Sequence, residues 1–187
     1  SNIKIQSSAF ISETFKANFP EAKVFNSDIT KVTGKELLEA AGETNGDKVI
    51  LLGCPPCQGY STARRTSERS SDPRNKLVFE FVRMVEEIRP RFFIMENVPG
   101  LANGIGRQLF SDVLKKLESI GYQNYAYKVV NTSDYGVPQK RKRLLFIGSN
   151  IPTPKITIPN PSNSDPEFGD SLLKPWKTVR EAISDLP

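Results

Sequence analysis

Apolar residues recur along the chain with two periods, one suited to strands and one to helices. Ile3-Lys4-Ile5 is short and β-like, and Phe10, Ile11, Phe15 and Ala17 recur as one face of a helix over 9–18. Asn18-Phe19-Pro20 ends that helix, and Lys23-Val24-Phe25 forms the next strand before the polar Asn26-Ser27-Asp28 turn. Lys48 to Gly53 reads KVILLG, a continuous apolar run of the kind buried on both faces of a sheet, and it stops at Cys54-Pro55-Pro56. Residues 59–73 are rich in Ser, Thr, Arg and Asp and read as a long loop, a class that is often functional. Helical spacing returns over 75–88 through Leu77, Val78, Phe81, Val82, Val85 and Ile88, and Arg91 to Met95 is a second buried-type strand. Another amphipathic helix fits 106–120, followed by strands at 125–130 and 143–148. This alternation predicts an α/β domain with a mostly parallel sheet and helices on both faces. From 151 to 176 the prolines at 152, 154, 159, 161, 166 and 175 mark an extended connector, and a short helix fits 179–186. No internal repeat is visible.

A chain of 187 residues suits one domain. No apolar run is long enough to cross a bilayer and no signal-peptide pattern is present, so a soluble, intracellular protein is expected. The only cysteines are Cys54 and Cys57, and with no histidine a zinc site would need carboxylates to complete it, so no metal is expected. The C-x-x-C spacing also suits a redox pair, but Gln58-Gly59 follows where a helix start would be needed. The net charge of +5 is compatible with a polyanionic partner and decides little by itself. Its placement says more: Arg64, Arg65 and Arg69 share one Ser/Thr-rich stretch, and Lys140 to Arg143 form a second cluster.

In an open α/β sheet ligands gather beyond the carboxyl ends of the strands, so polar residues just after buried strands are the first candidates for a site. Three stretches qualify: GCPPCQGYS at 53–61, ENVPGL at 96–101, and QKRKR at 139–143, at the entrance to a strand. PCQ after one buried strand, ENV after the next and Q-x-R-x-R later, in that order, resemble the DNA cytosine-C5 methyltransferases of bacterial restriction-modification systems. The resemblance extends to DITKV at 28–32, similar to the family's cofactor-adenine turn, and to DPRNKL at 72–77, similar to its motif after the catalytic loop.

The resemblance implies a Rossmann-like methyltransferase fold, S-adenosyl-L-methionine as cofactor, double-stranded DNA as partner and the bacterial cytoplasm as location. C5 of cytosine is a poor nucleophile, so a thiolate must first add to C6 before C5 can take a methyl group. Cys57 fits that role, since a loop after a strand leaves it accessible and nearby Arg charge favours the thiolate; the plainer reading is a small buried core cysteine. Cys54 is taken as packing. Glu96 resembles the glutamate that bonds N3 and the exocyclic amine of the everted base, a general acid whose carboxyl is expected to be held partly neutral by burial. Arg141 and Arg143 resemble the pair that holds the catalytic loop and contacts O2 of the base. Strand alternation would put both on one face, with Lys140 and Lys142 pointing away; the competing reading is a basic surface run.

For the cofactor, Asp28 and Ile29 resemble the adenine-edge residues, and the resemblance implies Pro55 beside the methionine end and Leu77 against the adenosine. Gln6 stands where the family usually carries the ribose-binding carboxylate, a departure from its pattern. The 59–73 loop would close over DNA once the base has left the stack. Arg64, Arg65 and Arg69 would then meet phosphates and groove edges, with Gln58, Ser61, Asn97 and Gln139 as further DNA contacts.

Nothing here resembles the family's opening strand and glycine-rich turn, and a sheet without that strand would leave its neighbours unpaired. Nor is a target recognition domain expected within these residues. Residues 1–150 are therefore expected to be a catalytic core and 151–187 a connector toward an absent recognition domain, the whole a fragment inactive alone. A tRNA cytosine-C5 methyltransferase of the same superfamily and a non-catalytic nucleic-acid-binding module are the alternatives.

Overall fold

The computed structural model describes residues 3–5, 9–56, 76–104 and 106–186. In chain order the elements are β1 (Ile3–Ile5), α1 (Ala9–Asn18), β2 (Lys23–Phe25), α2 (Gly34–Ala41), β3 (Ile50–Gly53), α3 (Leu77–Ile88), β4 (Phe92–Asn97), α4 (Arg107–Ser119), β5 (Asn124–Asn131), β6 (Lys142–Ser149), β7 (Asn163–Ser164), β8 (Lys174–Pro175) and α5 (Val179–Ile183), with 3₁₀ turns at Ile29–Lys31, Pro99–Leu101 and Thr132–Tyr135. Helix α2 was not expected from apolar spacing. A reciprocal box starts it: Thr33 accepts from the Glu36 amide, and the Glu36 carboxylate accepts from the Thr33 amide. Gly42, at φ 75°, ends it in the left-handed region.

Strands β1 and β2 pair in parallel as a separate sheet, while the larger sheet has the order β3-β4-β6-β5. Within it β3 and β4 are parallel, but β6 is antiparallel to both β4 and β5. The expected mostly parallel sheet is thus a mixed one. The reason is local: α3 and α4 each carry the chain across the sheet, whereas the 132–141 connection between β5 and β6 is too short for a crossover, so β6 returns antiparallel. It fills the space between β4 and β5.

The pleat sends Leu51, Phe93, Met95, Leu144, Phe146 and Tyr125 to one face, where they meet Val78, Phe81, Val82 and Val85 of α3 and Phe110, Val113 and Leu117 of α4. Phe93 is central, edge-on to Phe146 at 5.0 Å and to Phe81 at 6.0 Å between centroids. Glycine makes room for two of these rings: a Cβ at Gly148 would lie 2.4 Å from Phe93, and one at Gly53 would lie 2.3 Å from Phe81. Helix α2 packs Leu37 on Met84 and Ile88 at the flank of α3. On the opposite face Ile50 and Leu52 are 60% and 69% exposed. The run KVILLG is therefore packed on its Leu51–Gly53 side and open on the other, which corrects the expectation of burial on both faces.

The proline-rich stretch after β6 lies back against the sheet end. Asn124 holds it through Ile151 and Pro154 carbonyls and the Ile156 amide, and the Tyr135 hydroxyl donates to the Pro159 carbonyl. No described helix is long and apolar enough to cross a membrane.

Candidate active site

Because β3 and β4 run parallel with Gly53 opposite Met95, Cys54-Pro55-Pro56 leaves the sheet beside Glu96 and Asn97, the last residues of β4. Asn97 ties the two together. It is buried, its amide donates to the Pro55 carbonyl at 3.0 Å, and its own side-chain oxygen accepts from the Val98 amide at 2.8 Å. Glu96, one residue earlier, projects to the opposite face of the pleat. There β6, arriving antiparallel, delivers Arg143, whose Nε lies 2.6 Å from Glu96 Oε1. The side chains are 24% and 38% exposed, so the pair sits at the rim of the sheet and not in its interior. Burial was expected around Glu96; the structure leaves it partly exposed and supplies a guanidinium.

Arg141 is placed differently. Strand β6 begins at Lys142, so pleat alternation does not reach Arg141, whose side chain is exposed and whose amide donates to Asn131 Oδ1 at 3.0 Å. Gln139 is likewise exposed, with its carbonyl accepting from the Thr132 hydroxyl. Of the two arginines, only Arg143 is brought to Glu96. Cys54, expected to pack, is solvent-exposed. Desolvation where the loop meets β4 and, next, the Glu96 carboxylate push its thiol up, with a backbone hydrogen bond at Glu96 acting against them. It therefore stays a protonated thiol at neutral pH.

On the cofactor side, Asp28 caps the 3₁₀ turn and its Oδ1 accepts from the Thr30 amide at 2.9 Å and the Thr30 hydroxyl at 2.8 Å. These bonds, the backbone one foremost, hold its carboxyl below the ordinary range, so it stays ionised. Ile29 packs beside Val32, Leu37 and Met84. Leu77 opens α3 and is partly buried, as is Pro55.

Sequence reasoning missed Arg83. From α3 its guanidinium donates to the Ile29 carbonyl at 2.8 Å and the Val32 carbonyl at 3.2 Å, while Glu80 and Glu87 pair with it at 2.7 and 2.8 Å. Glu87 in turn accepts from the Gly34 amide at 2.6 Å. The turn bearing Asp28 and Ile29 is thereby fastened to the helix that Leu77 begins. The signal lies in the spacing of Glu80, Arg83 and Glu87, which share one helix face opposite the apolar stripe of that segment. Among the described residues no group of His, Cys, Asp or Glu is arranged to hold a metal. Cys57, Gln58, Ser61, Arg64, Arg65 and Arg69, and Gln6 of the cofactor set, lie outside the described residues.

A mixed sheet that sets Cys54-Pro55-Pro56 beside the Glu96-Asn97-Val98 stretch, with the last arginine of Q-x-R-x-R on that glutamate, fits a class of cytosine methylases. The C-5 cytosine-specific DNA methylase family matches residues 2–187, and the chain belongs to that family. The type II methyltransferase M.AquIA of Picosynechococcus is 37% identical across 93% of this chain and 75% of its own length. M.XorII of Xanthomonas oryzae pv. oryzae is 36% identical across 92% of this chain but only 38% of its own length. A crystal structure of a candidate DNA modification methyltransferase encoded within an E. coli prophage superposes with a TM-score of 0.74 at 27% identity, covering all of this chain and 48% of that one. The chain thus spans three quarters of one relative and under half of the others.

Proposed function

We propose that this chain carries the cytosine-binding and methyl-transfer core of a type II DNA cytosine-C5 methyltransferase. The observation that carries the reading is the Glu96–Arg143 pair, on the sheet end where the Cys54-Pro55-Pro56 loop emerges. Cys57, one peptide bond beyond Pro56, adds as thiolate to C6 of an everted cytosine while Glu96 donates at N3, which turns C5 into an enamine-like carbon. S-adenosylmethionine, when bound, supplies the methyl group. Loss of the C5 proton to a base, departure of the thiolate and return of the N3 proton to Glu96 then restore the ring and the enzyme. Arg143 keeps Glu96 aimed at the base and offers charge near O2, and Arg141 and Gln139, exposed on the same arm, reach the loop and DNA. Asp28, Ile29, Pro55 and Leu77 suit the cofactor. An ionised, exposed carboxylate beside a half-buried aliphatic side chain offers an acceptor for an amino edge and an apolar floor for the ring. Gln58, Ser61, Arg64 and Arg65 are assigned to DNA.

The test is trapping on a duplex containing 5-fluorocytosine with S-adenosylmethionine present, using the product of the intact gene. A covalent adduct that survives denaturing electrophoresis is expected for the wild type and not for Cys57→Ser. An adduct formed on tRNA and not on duplex DNA would transfer the reading to RNA. Salt-sensitive DNA binding without any adduct would leave a binding module only. Because the chain covers so small a share of most relatives, it is expected to show negligible methyl transfer when isolated.

A further inference from the structure

The single tryptophan of the chain, Trp176, stands apart from every motif discussed above. Its indole N–H donates to Asp134 Oδ1 at 2.9 Å, and its amide donates to the Ser164 carbonyl at 3.0 Å. Lys140 Nζ lies 4.5 Å above the ring centroid, well inside cation–π range. Asp134 belongs to the 3₁₀ turn that follows β5, and Lys140 immediately precedes Arg141 on the way into β6. One ring therefore touches both limbs of the β5–β6 connection.

The neck of that connection is fastened from within. The Thr132 amide donates to the Arg141 carbonyl at 3.0 Å, and the Arg141 amide donates to Asn131 Oδ1. The side chains of Gln139, Lys140 and Arg141 are nonetheless all exposed. A lysine there would ordinarily range over many rotamers. Here its ammonium is drawn onto an aromatic face that is itself fixed by Asp134 and Ser164.

We propose that Trp176 is a positioning residue: by engaging Lys140 and Asp134 together it fixes the 136–141 arm, and through it Arg141 and Arg143 relative to Glu96. The importance of that arm rests on the functional reading above, but the positioning itself is measurable without activity. In the chain as it stands, nuclear magnetic resonance can follow amide exchange at Arg141 and the side-chain Nε–H line of Arg143. Trp176→Leu is expected to speed Arg141 exchange about tenfold, the effect of losing one exposed cation–π contact and one hydrogen bond. It should also broaden the Arg143 line, while the Phe93 and Met95 amides stay protected. Trp176→Phe, which keeps a ring under Lys140, should recover most of the protection. Lys140→Met and Asp134→Asn should each give a partial acceleration, and they serve if Trp176→Leu does not fold.

Unchanged Arg141 exchange and an unchanged Arg143 line in a folded Trp176→Leu protein would overturn the proposal. So would an equal loss of protection across β4, which would mean that the residue only supports the fold. If Trp176→Leu does not fold, no acceleration in either Lys140→Met or Asp134→Asn overturns it as well. If no adduct forms on 5-fluorocytosine, the exchange result still stands, so failure of the catalytic assignment and failure of the positioning role are separable.

Discussion

Glu96 and Arg143 meet at 2.6 Å yet remain partly exposed, and ion pairs in that setting contribute only about 0–1 kcal/mol to stability. Their worth is in orientation. Arg143→Gln is therefore expected to leave thermal unfolding almost unmoved while lowering 5-fluorocytosine adduct formation by about 10²-fold, the scale of losing one preorganised donor. Paired melting and trapping measurements check it, and a large drop in melting temperature would show the pair to be structural. Tyr122 is the opposite case: fully buried, it donates to the Pro90 carbonyl at 2.6 Å, and its hydroxyl is pushed up to about 12 by burial, with Arg89 acting against this. Tyr122→Phe strands that carbonyl and should cost about 1–3 kcal/mol in urea unfolding, without effect on trapping per folded molecule.

Helices α2 and α3 are joined by the Arg83–Glu87–Gly34 network, and that joint is pH-sensitive. Partial burial tends to raise the Glu87 carboxyl, but the Gly34 amide and then the Arg83 guanidinium outweigh it and hold the group below its ordinary 4.5. A carboxylate with a lowered folded pKa contributes stability that is present above pH 4.5 and disappears as pH falls through the folded value. Amide exchange at Gly34, corrected for its intrinsic rate, should accelerate on acidification below pH 4.5 and stay flat in Glu87→Gln. The same network sets the distance between the Asp28–Ile29 turn and Leu77. Helix α2 illustrates what apolar periodicity overlooks, because its start is written in Thr33 and Glu36 and not in a hydrophobic stripe.

One face of the large sheet bears the core and the other bears Glu96 and Arg143, and this division predicts how substitutions sort. Phe93→Ala, at the centre of the aromatic cluster, should cost about 3–5 kcal/mol. Gly53→Ala, which would thrust a methyl into the Phe81 ring, should cost about 1–3 kcal/mol through overpacking. Leu52→Ser, on the exposed face, should fall within about 0.5 kcal/mol of wild type. Urea unfolding of the three proteins checks the order, and a large loss for Leu52→Ser would show that this face is covered in solution.

The amino-acid order alone determined most element types and the succession of motifs, because burying one face of a helix or strand imposes a spacing that any reader of the chain can see. It also placed Glu96 at a strand end, and it located the basic arm. Only the tertiary structure decided that β6 runs antiparallel between β4 and β5, and therefore that Arg143 and not Arg141 meets Glu96. It also turned Asn97 inward onto Pro55 and set Trp176 between Lys140 and Asp134. Such pairings join residues far apart in the chain, and no local period reports them. They follow from loop lengths and packing, which act only once the chain has closed on itself.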